Sequence, residues 1–480
     1  MIALHEAALL RRELRARMEF RYGIAAMTEL PHVLLRLEFG FDRTRQAGFA
    51  ADNLPPKWFT KNPAQPPASE IAEMISVIGR AIAHAREILA ATPFAFWREL
   101  YARQSEWATQ QRVPPLLAHF GTSLVERALI DAFCRATTTS FSRAVRENAF
   151  GVELGAIRPA LAGSVPRDWL PEVPAASVFA RHTVGLSDPI DTDDQADRAR
   201  LDDGLPQTLA ECVRFYGLRH FKIKINGDLE ADRLRLAKIS AVLGRECRGG
   251  DFAFSLDGNE SFRATAAFAN YARELFSTQP AEFWSRLLFI EQPLHRDVAL
   301  TSVAAELARA WPGGNGFVID ESDASLESLP AALELGYAGT SHKNCKGVFK
   351  GLANACLLAQ RRAQKRPALL SGEDLTNVGP VALLQDLAVQ AAFGITSVER
   401  NGHHYFAGLA QFPNSIQRAV AKHHGDVFVA HEYGGLSWPR VNIQNGKIAL
   451  GSVNAAPFGV ADEVEQVVGE GDSWACVALE

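Results

Sequence analysis

Four short segments of the chain each place a carboxylate or a lysine near the end of an apolar run. They are FKIKI (221–225), FSLDGN (254–259), LLFIEQP (287–293) and GFVIDES (316–322). A fifth segment, TSHKNCKG (340–347), adds further lysines. A charged group is costly to bury unless it is paired or binds a metal. Charges repeated at the ends of apolar strands therefore indicate a functional site.

Three acids, Asp257, Glu291 and Asp320, end three successive predicted strands. In a TIM barrel, polar residues at the carboxyl ends of strands face the active-site mouth. Three carboxylates at one mouth repel one another unless a cation lies between them, and oxygen ligands of this kind suit Mg²⁺. Each acid alone would more often be a helix N-cap. Their occurrence at consecutive strand ends predicts a metal site.

Lys222 and Lys224 share one face of the FKIKI strand, because side chains alternate along a strand. The apolar residues of that segment occupy the other face and would meet the outer helices, so the lysines would point into the barrel. The alternative is an edge strand with solvated lysines. It is less favoured in a sheet that has both faces covered by helices.

The composition is that of an ordinary globular protein, and 480 residues predict two domains. The formal charge of −5 argues against a nucleic-acid or anionic-membrane partner. No apolar run is long enough for a membrane span, and the N-terminal segment lacks a signal-peptide pattern, so a cytoplasmic location is expected. Six scattered cysteines without a CxxC pair argue against a disulfide framework or a structural zinc site.

From about residue 176, short strand-like segments alternate with helical ones. This alternation predicts βαβ units and a parallel sheet. Eight such units indicate a TIM barrel. The predicted strands are 177–184, 220–225, 252–257, 287–291, 316–320, 338–343, 367–371 and 394–399.

The N-terminal third is predicted to mix strands and helices. Residues 32–41 are a strand candidate, and 48–67 are interpreted as a long loop because they are rich in Pro, Asn and Gly. Helical periodicity is found over 68–150, with Ser69 as the expected first cap and 123–148 as one continuous helical segment.

The series KIK, LDGN, IEQP, DES and HKNCKG resembles the enolase superfamily, and within it the muconate-lactonizing-enzyme-like branch of the mandelate racemase/muconate lactonizing enzyme family. The segments RARMEFRYGIA, ELPHVLLRLEF and ERALIDAF resemble its capping domain, and IQNGKIALGSVNAAPFGV resembles its C-terminal tail. The resemblance covers essentially the whole chain. It implies an α/β fold in which a modified TIM (β/α) barrel carries an α+β capping domain formed by the N-terminal region and the C-terminal tail.

On this basis residues 1–170 are expected to form the N-terminal α+β capping domain. Residues 171–430 would form the TIM-type barrel with the metal and acid/base residues. Residues 431–480 would return to the capping domain. Within that tail, 441–460 predicts hairpin-like strands joined by an Asn-Gly turn and packed on the N-terminal domain.

The resemblance also assigns roles. It implies that the Mg²⁺ ligands are Asp257, Glu291 and Asp320. Lys224 would be one acid/base group and Lys343 the other, reaching the substrate from the opposite face, with Lys222 as a further catalytic lysine beside Lys224. A nearby like charge and partial desolvation would lower the pKa of such a lysine and let it act as a base.

Other assignments stay open. Lys346 competes with Lys343 for the role on the sixth strand, and Lys343 is preferred because it ends the apparent strand. Glu373 or Asp374 could bind the substrate or Lys343, or could cap a helix. The substrate-binding candidates are Glu373, Glu399, Asn259 and Lys346.

The mandelate-racemase-like branch has a His base on the seventh strand, but LLSGEDLTN (369–377) contains none. His403 and His404 are interpreted as a surface-loop pair. Capping loops at 17–25 and 48–60 would set specificity, and the second carries Phe49, Trp58 and Phe59. No function is assigned to the extra length in 60–150 and 185–210.

The expected enzyme is a Mg²⁺-dependent isomerase or lyase that removes a proton α to a carboxylate through a metal-stabilised enediolate. Racemisation, epimerisation or cycloisomerisation of a small carboxylate is favoured. The alternative within the superfamily is an acid-sugar dehydratase. The alternative of another class is a non-catalytic barrel that binds a metal or metabolite. A homo-oligomer is compatible with this fold by analogy.

Overall fold

The computed structural model describes residues 1–22, 24–195, 200–470 and 474–478. Its strands form a barrel, a separate capping sheet and a hairpin. Gly23, in the predicted loop 17–25, lies outside the described residues, as do residues 196–199 of the predicted segment 185–210. Among the helices that the structure describes, none is long and apolar enough to cross a membrane.

The barrel is closed by eight parallel strands in chain order, the last of which pairs with the first. These strands are β4 (Ser177–Val184), β5 (His220–Lys224), β6 (Ala253–Asp257), β7 (Leu287–Glu291), β8 (Phe317–Ile319), β9 (Gly339–His342), β10 (Leu369–Gly372) and β11 (Ser397–Arg400). All eight overlap the predicted strands, which confirms the barrel.

The capping sheet is antiparallel and separate from the barrel. In spatial order its strands are β15 (Ala475–Val477), β1 (Ile2–Tyr22), β2 (Ala25–Phe41) and β3 (Thr44–Asn53). The remaining strands are β12 (Phe428–Tyr433) and β13 (Leu436–Val441), which pair as a hairpin, and β14 (Lys447–Ala449), which adds antiparallel to β4.

Helices follow most strands of the barrel and cover one side of the capping sheet. The helices before the barrel are α1 (Pro67–Ala85), α2 (Pro93–Gln111), α3 (Pro115–Ala136), α4 (Phe141–Arg146) and α5 (Leu154–Ile157). Those within it are α6 (Leu209–Tyr216), α7 (Leu229–Glu246), α8 (Thr265–Ser277), α9 (Ala281–Trp284), α10 (Arg296–Ala299), α11 (Ser328–Glu334), α12 (Val348–Ala363) and α13 (Pro380–Ala392). The last are α14 (Gly402–Tyr405), α15 (Asn414–His423), α16 (Gly451–Ala455) and α17 (Asp462–Glu470).

Three local predictions are wrong. The loop predicted from residue 48 begins at Leu54, because GFAADN completes β3; a Cβ at Gly48 would collide with the backbone of α3, so the glycine permits close packing rather than a turn. Helix α1 begins at Pro67 instead of after Ser69, since proline is suited to a first helical position. The helix predicted over 123–148 breaks after Ala136, where Thr138 has a φ of 51°.

The tail is shared between the barrel and the cap. The predicted Asn-Gly turn is confirmed, with positive φ at Asn445 and Gly446, but the strand after it pairs with β4 of the barrel. Helix α17 and β15 reach the cap, where the Glu465 carboxylate lies 2.5 Å from Arg135 on α3. The domain boundaries at 170 and 430 stay a prediction.

Candidate active site

The charged strand ends meet inside the barrel. The register pairs Lys224 with Asp257, and Asp257 with Glu291, so these side chains lie at one level of the wall. Lys222 and Lys224 both bond carboxylates inside the barrel, as the alternation of FKIKI predicts, while Phe221 and Ile223 are buried in the apolar core. The parallel strands thus bring together groups that are far apart in the chain.

A group of three carboxylates lies at the centre. Glu291, Asp320 and Glu373 each offer an oxygen, and these oxygens all lie within 4.8 Å of one another. All three side chains are buried. The second oxygen of Glu291, Oε2, is buried without a hydrogen-bond partner among the described residues. Burial and the neighbouring charge of Glu373 raise the pKa of Glu291 well above its usual value.

Asp257 lies beside this group and bonds lysines. Its Oδ2 accepts from Lys224 Nζ at 2.5 Å and lies 3.0 Å from Lys222 Nζ. Burial opposes ionisation of Asp257, but the two lysines outweigh it and lower the pKa. The three predicted ligands are therefore neighbours, and Glu373 joins them as a fourth carboxylate.

Lys343 lies across the barrel from Lys224. Its Nζ donates to Asp320 Oδ2 at 2.6 Å and lies 3.0 Å from Glu373 Oε2. The two lysines thus bond different carboxylates, and both line one cavity at the barrel mouth. Lys346 also bonds the Asp320 carboxylate, at 3.0 Å, but its other hydrogen bonds go to the Asp320 carbonyl and to the backbone and hydroxyl of Ser341, and it is not among the residues that line the cavity.

Lys222 is a fully buried cation surrounded by acids. Its Nζ donates to Glu291 at 2.8 Å, Glu399 at 2.9 Å and Glu373 at 3.0 Å. Burial opposes its charged form, but the surrounding carboxylates outweigh burial and hold its pKa well above the usual value. The same balance raises the pKa of Lys343. The lowered lysine pKa expected from a like-charged neighbour is therefore not found at these two residues, because the surrounding carboxylates outweigh it.

Some of the predicted substrate-binding residues line the cavity, and others bond the charged groups around it. Glu399 and Asn259 line the cavity, and Glu399 also accepts a hydrogen bond from Thr183. Glu373 accepts hydrogen bonds from two cations, Lys222 at 3.0 Å and Arg181 at 3.1 Å. Its carboxylate thus joins the charged network instead of capping a helix.

The capping domain forms one wall of the cavity, which has a volume of about 60 Å³. The Trp58 ring lies 4.8 Å from Lys343 Nζ. Arg296 holds this loop, donating to the carbonyls of Trp58 and Phe59 at 3.0 and 2.8 Å while pairing with Glu260 at 2.8 Å. Phe20 lies on the cavity wall, whereas Arg17 bonds Asp203 instead. Glu260 and Arg296 were not among the predicted site residues, and their closeness to LDGN and IEQP is the signal that could have found them.

The two histidines predicted as a surface-loop pair lie in the interior. His403 and His404 are buried, at 7% and 2% exposure, and are not a surface-loop pair. They lie on α14 immediately after β11, and the His403 Nε2 atom lies 3.1 Å from Nδ1 of His182 on β4. The short α14 packs inward at the barrel edge, which the polar sequence around it did not indicate.

No protein-family model and no curated protein matches the sequence of this chain. Solved structures do match its fold. An enolase from Bradyrhizobium complexed with magnesium and mandelic acid is 14% identical, with 99% of each chain covered and a TM-score of 0.58. An N-succinyl Arg/Lys racemase from Bacillus cereus is 14% identical, covering 99% of this chain and 100% of that one, with a TM-score of 0.57.

A muconate lactonizing enzyme from Pseudomonas fluorescens complexed with muconolactone is 16% identical, covering 97% of this chain and 98% of that one, with a TM-score of 0.58. At these identities the likeness is one of fold. The chain therefore has the capped-barrel architecture of the mandelate racemase and muconate lactonizing enzyme structures, as its motifs predict.

Proposed function

We propose that this protein is a Mg²⁺-dependent enzyme that removes the proton α to the carboxylate of a small molecule, most simply a racemase, epimerase or cycloisomerase. The observation that carries this proposal is the placement of two lysines across one cavity. Lys224 ends β5, and Lys343 follows β9, four strands further around a closed barrel of eight. Groups on opposite walls can serve opposite faces of a planar intermediate. The reactions named for the structural neighbours support this class.

The carboxylates between the lysines fit Mg²⁺. The donor set consists of carboxylate oxygens, which are hard ligands that Mg²⁺ prefers. The unpartnered Oε2 of Glu291 leaves acceptor capacity for a cation. Glu291 and Asp320, with Asp257 or Glu373, would hold it. Bound there, Mg²⁺ would offset the charge that develops on the substrate carboxylate when the α proton leaves.

Side chains of the protein would transfer the proton, position the carboxylates and exclude water. Lys224 and Lys343 would accept and return the proton at their Nζ atoms. Lys222, held protonated by its acidic neighbours, would fix the carboxylates in place and would not transfer a proton. Trp58 and the loop held by Arg296 would shield the reacting atoms in the cavity from water.

The test is exchange of the α proton in D₂O with Mg²⁺ present. N-acyl amino acids, dipeptides and acid sugars are the probes, each supplied as separate stereoisomers at the reacting carbon. In Lys224→Ala and Lys343→Ala, exchange should fall about 10²- to 10⁴-fold for the stereoisomer whose proton faces the missing lysine. The other stereoisomer should still exchange, because its own base remains.

Lys346→Ala is the matched control, since it also removes an ammonium bonded to Asp320. It should change the exchange of both stereoisomers alike. Undiminished exchange of both stereoisomers in both of the other variants would contradict the two-lysine mechanism. Binding of Mg²⁺ without exchange of any probe by the wild type would favour a non-catalytic barrel.

A further inference from the structure

A second cluster of metal-binding side chains lies behind the barrel wall. His182 on β4, Cys212 on α6 and His404 on α14 each offer one ligand atom, and these atoms lie within 4.8 Å of one another. All three residues are buried. The Cys212 Sγ and His404 Nδ1 atoms are already 3.4 Å apart.

This cluster is separate from the carboxylate site. Arg181 and Thr183, on either side of His182, bond Glu373 and Glu399 inside the barrel. Because side chains alternate along a strand, His182 faces outward toward the helices. The cavity lining includes Lys224 and Lys343 but none of the three cluster residues.

The donor set is that of a borderline-soft transition metal. One thiolate and two imidazoles suit Zn²⁺, and they differ from the oxygen ligands that Mg²⁺ prefers. His403 lies beside this cluster: its Nε2 is 3.1 Å from Nδ1 of His182, and its other ring nitrogen, the buried Nδ1, has no hydrogen-bond partner among the described residues. A buried ring nitrogen without a partner is costly in a site that only packs.

The spacing is close to that of a zinc centre. With Zn–N of about 2.0 to 2.1 Å and Zn–S of about 2.3 Å, tetrahedral ligand atoms lie about 3.3 to 3.6 Å apart. The Cys212–His404 pair already meets this spacing. The His182 atom lies within 4.8 Å of both, so it needs to approach by at most about 1.5 Å, within the range of side-chain rotation.

We propose that His182, Cys212 and His404, with His403 as the fourth candidate ligand, form a structural Zn²⁺ site. The absence of a CxxC pair argued against a structural zinc site. That pattern finds only ligands that are close in sequence, whereas these ligands come from three separate elements. The ion would fix α14 at the junction of barrel and cap. There Arg17 of β1 donates to the His404 carbonyl at 3.0 Å, and the Tyr405 ring stacks on Phe20 with centroids 4.2 Å apart.

The first measurement is the zinc content of the full-length protein, expressed with zinc and desalted without chelator. Wild type should retain about one zinc per chain, and Cys212→Ser should lose at least about nine-tenths of it. Cys356→Ser is the matched control: it removes another buried helical cysteine and should keep the zinc. Asp257→Asn should also keep it, which separates this site from the carboxylate group.

The second measurement uses protein expressed with cobalt in place of zinc. A sulfur-to-cobalt charge-transfer band should appear in wild type and in Cys356→Ser, and disappear in Cys212→Ser and weaken in His404→Gln. Circular dichroism establishes that each variant is folded, and His404→Gln keeps the test decisive if Cys212→Ser does not fold. Zinc-free wild type without a cobalt–thiolate band would overturn the proposal. Equal zinc content in wild type and folded Cys212→Ser would also overturn it.

Discussion

Glu126 links the capping domain to the segment that carries Lys343, and we expect its charge to destabilise the fold at neutral pH. It lies on α3 with 1% exposure and accepts hydrogen bonds from the backbone N–H groups of Val348 and Phe349, at 3.0 and 2.6 Å. These are the first residues of α12. Burial is the largest influence on this carboxyl and raises its pKa from 4.5 to about 7.

The sign of the pH effect follows from this shift. Between these two pKa values the native carboxyl keeps a proton that the unfolded chain has released. Its contribution to stability is therefore fully present below pH 4.5 and is lost as the pH rises through 7. For one group with these values, the loss between about pH 5 and about pH 8 is about 2.5 kcal/mol.

Glu126→Gln removes this titration while keeping one acceptor. The free energy of unfolding, from urea titrations of wild type and variant, should therefore shift in favour of the variant by about 2.5 kcal/mol from about pH 5 to about pH 8. Comparing the two proteins cancels the titration of all other groups. Glu99→Gln, on the exposed face of α2, is the control and should shift by less than about 0.5 kcal/mol. A difference between wild type and Glu126→Gln that stays constant with pH would refute the reasoning.

Two further predictions concern the barrel centre. Lys222→Met should lower the unfolding free energy in metal-free buffer by about 3 to 5 kcal/mol, because it leaves buried carboxylates without their cation. In a urea titration, a loss no larger than that of the exposed control Lys238→Met, expected below about 1 kcal/mol, would contradict this. Glu291 and Asp320 could bind Mg²⁺ together with either Asp257 or Glu373, and calorimetric titration of Glu373→Gln and Asp257→Asn should show which of the two is the third ligand. Loss of a true ligand should weaken Mg²⁺ binding by more than about tenfold, or 1.4 kcal/mol, and unchanged affinity in both variants would exclude both residues.

The barrel and its charged strand ends could be predicted because each depends on local pattern. FKIKI shows its inward face by alternation alone, and Asp257 and Glu291 each complete a short apolar strand. Glu373 was harder to place. Its contacts with Lys222 and Lys343 depend on how the seventh strand aligns with other strands of the barrel. That alignment cannot be predicted from the local spacing of apolar residues.

The errors have a similar cause. GFAADN was included in the predicted loop because the segment 48–67 is rich in Pro, Asn and Gly, yet small residues are what let α3 approach β3 closely. His403 and His404 looked solvated because histidine is polar, but their burial depends on α14 turning inward beside β4. In each case a contact between distant elements outweighed local preference.

The charge of the site indicates how a lysine that is protonated in the free protein could become a base. Ion pairs within 4.0 Å join one network of carboxylates and cations. Its acids are Asp257, Glu291, Asp320, Asp323, Glu373 and Glu399. Its cations are Arg181, Lys222, Lys224, Lys343, Lys346 and Lys350.

These two sets are equal in number, so the network is formally neutral when every member is ionised. A divalent cation together with a monocarboxylate substrate would add one net positive charge to a buried region, where an unbalanced charge is costly. Loss of one proton from a lysine of the cavity, such as Lys343, would remove that charge and create the neutral amine that proton abstraction requires. Joint binding should therefore release at least about one proton, and a second where Glu291, whose pKa is raised in the free protein, ionises as it binds the cation. Calorimetric titrations in buffers of different ionisation enthalpy measure that release, and identical binding enthalpies in all buffers would contradict this account.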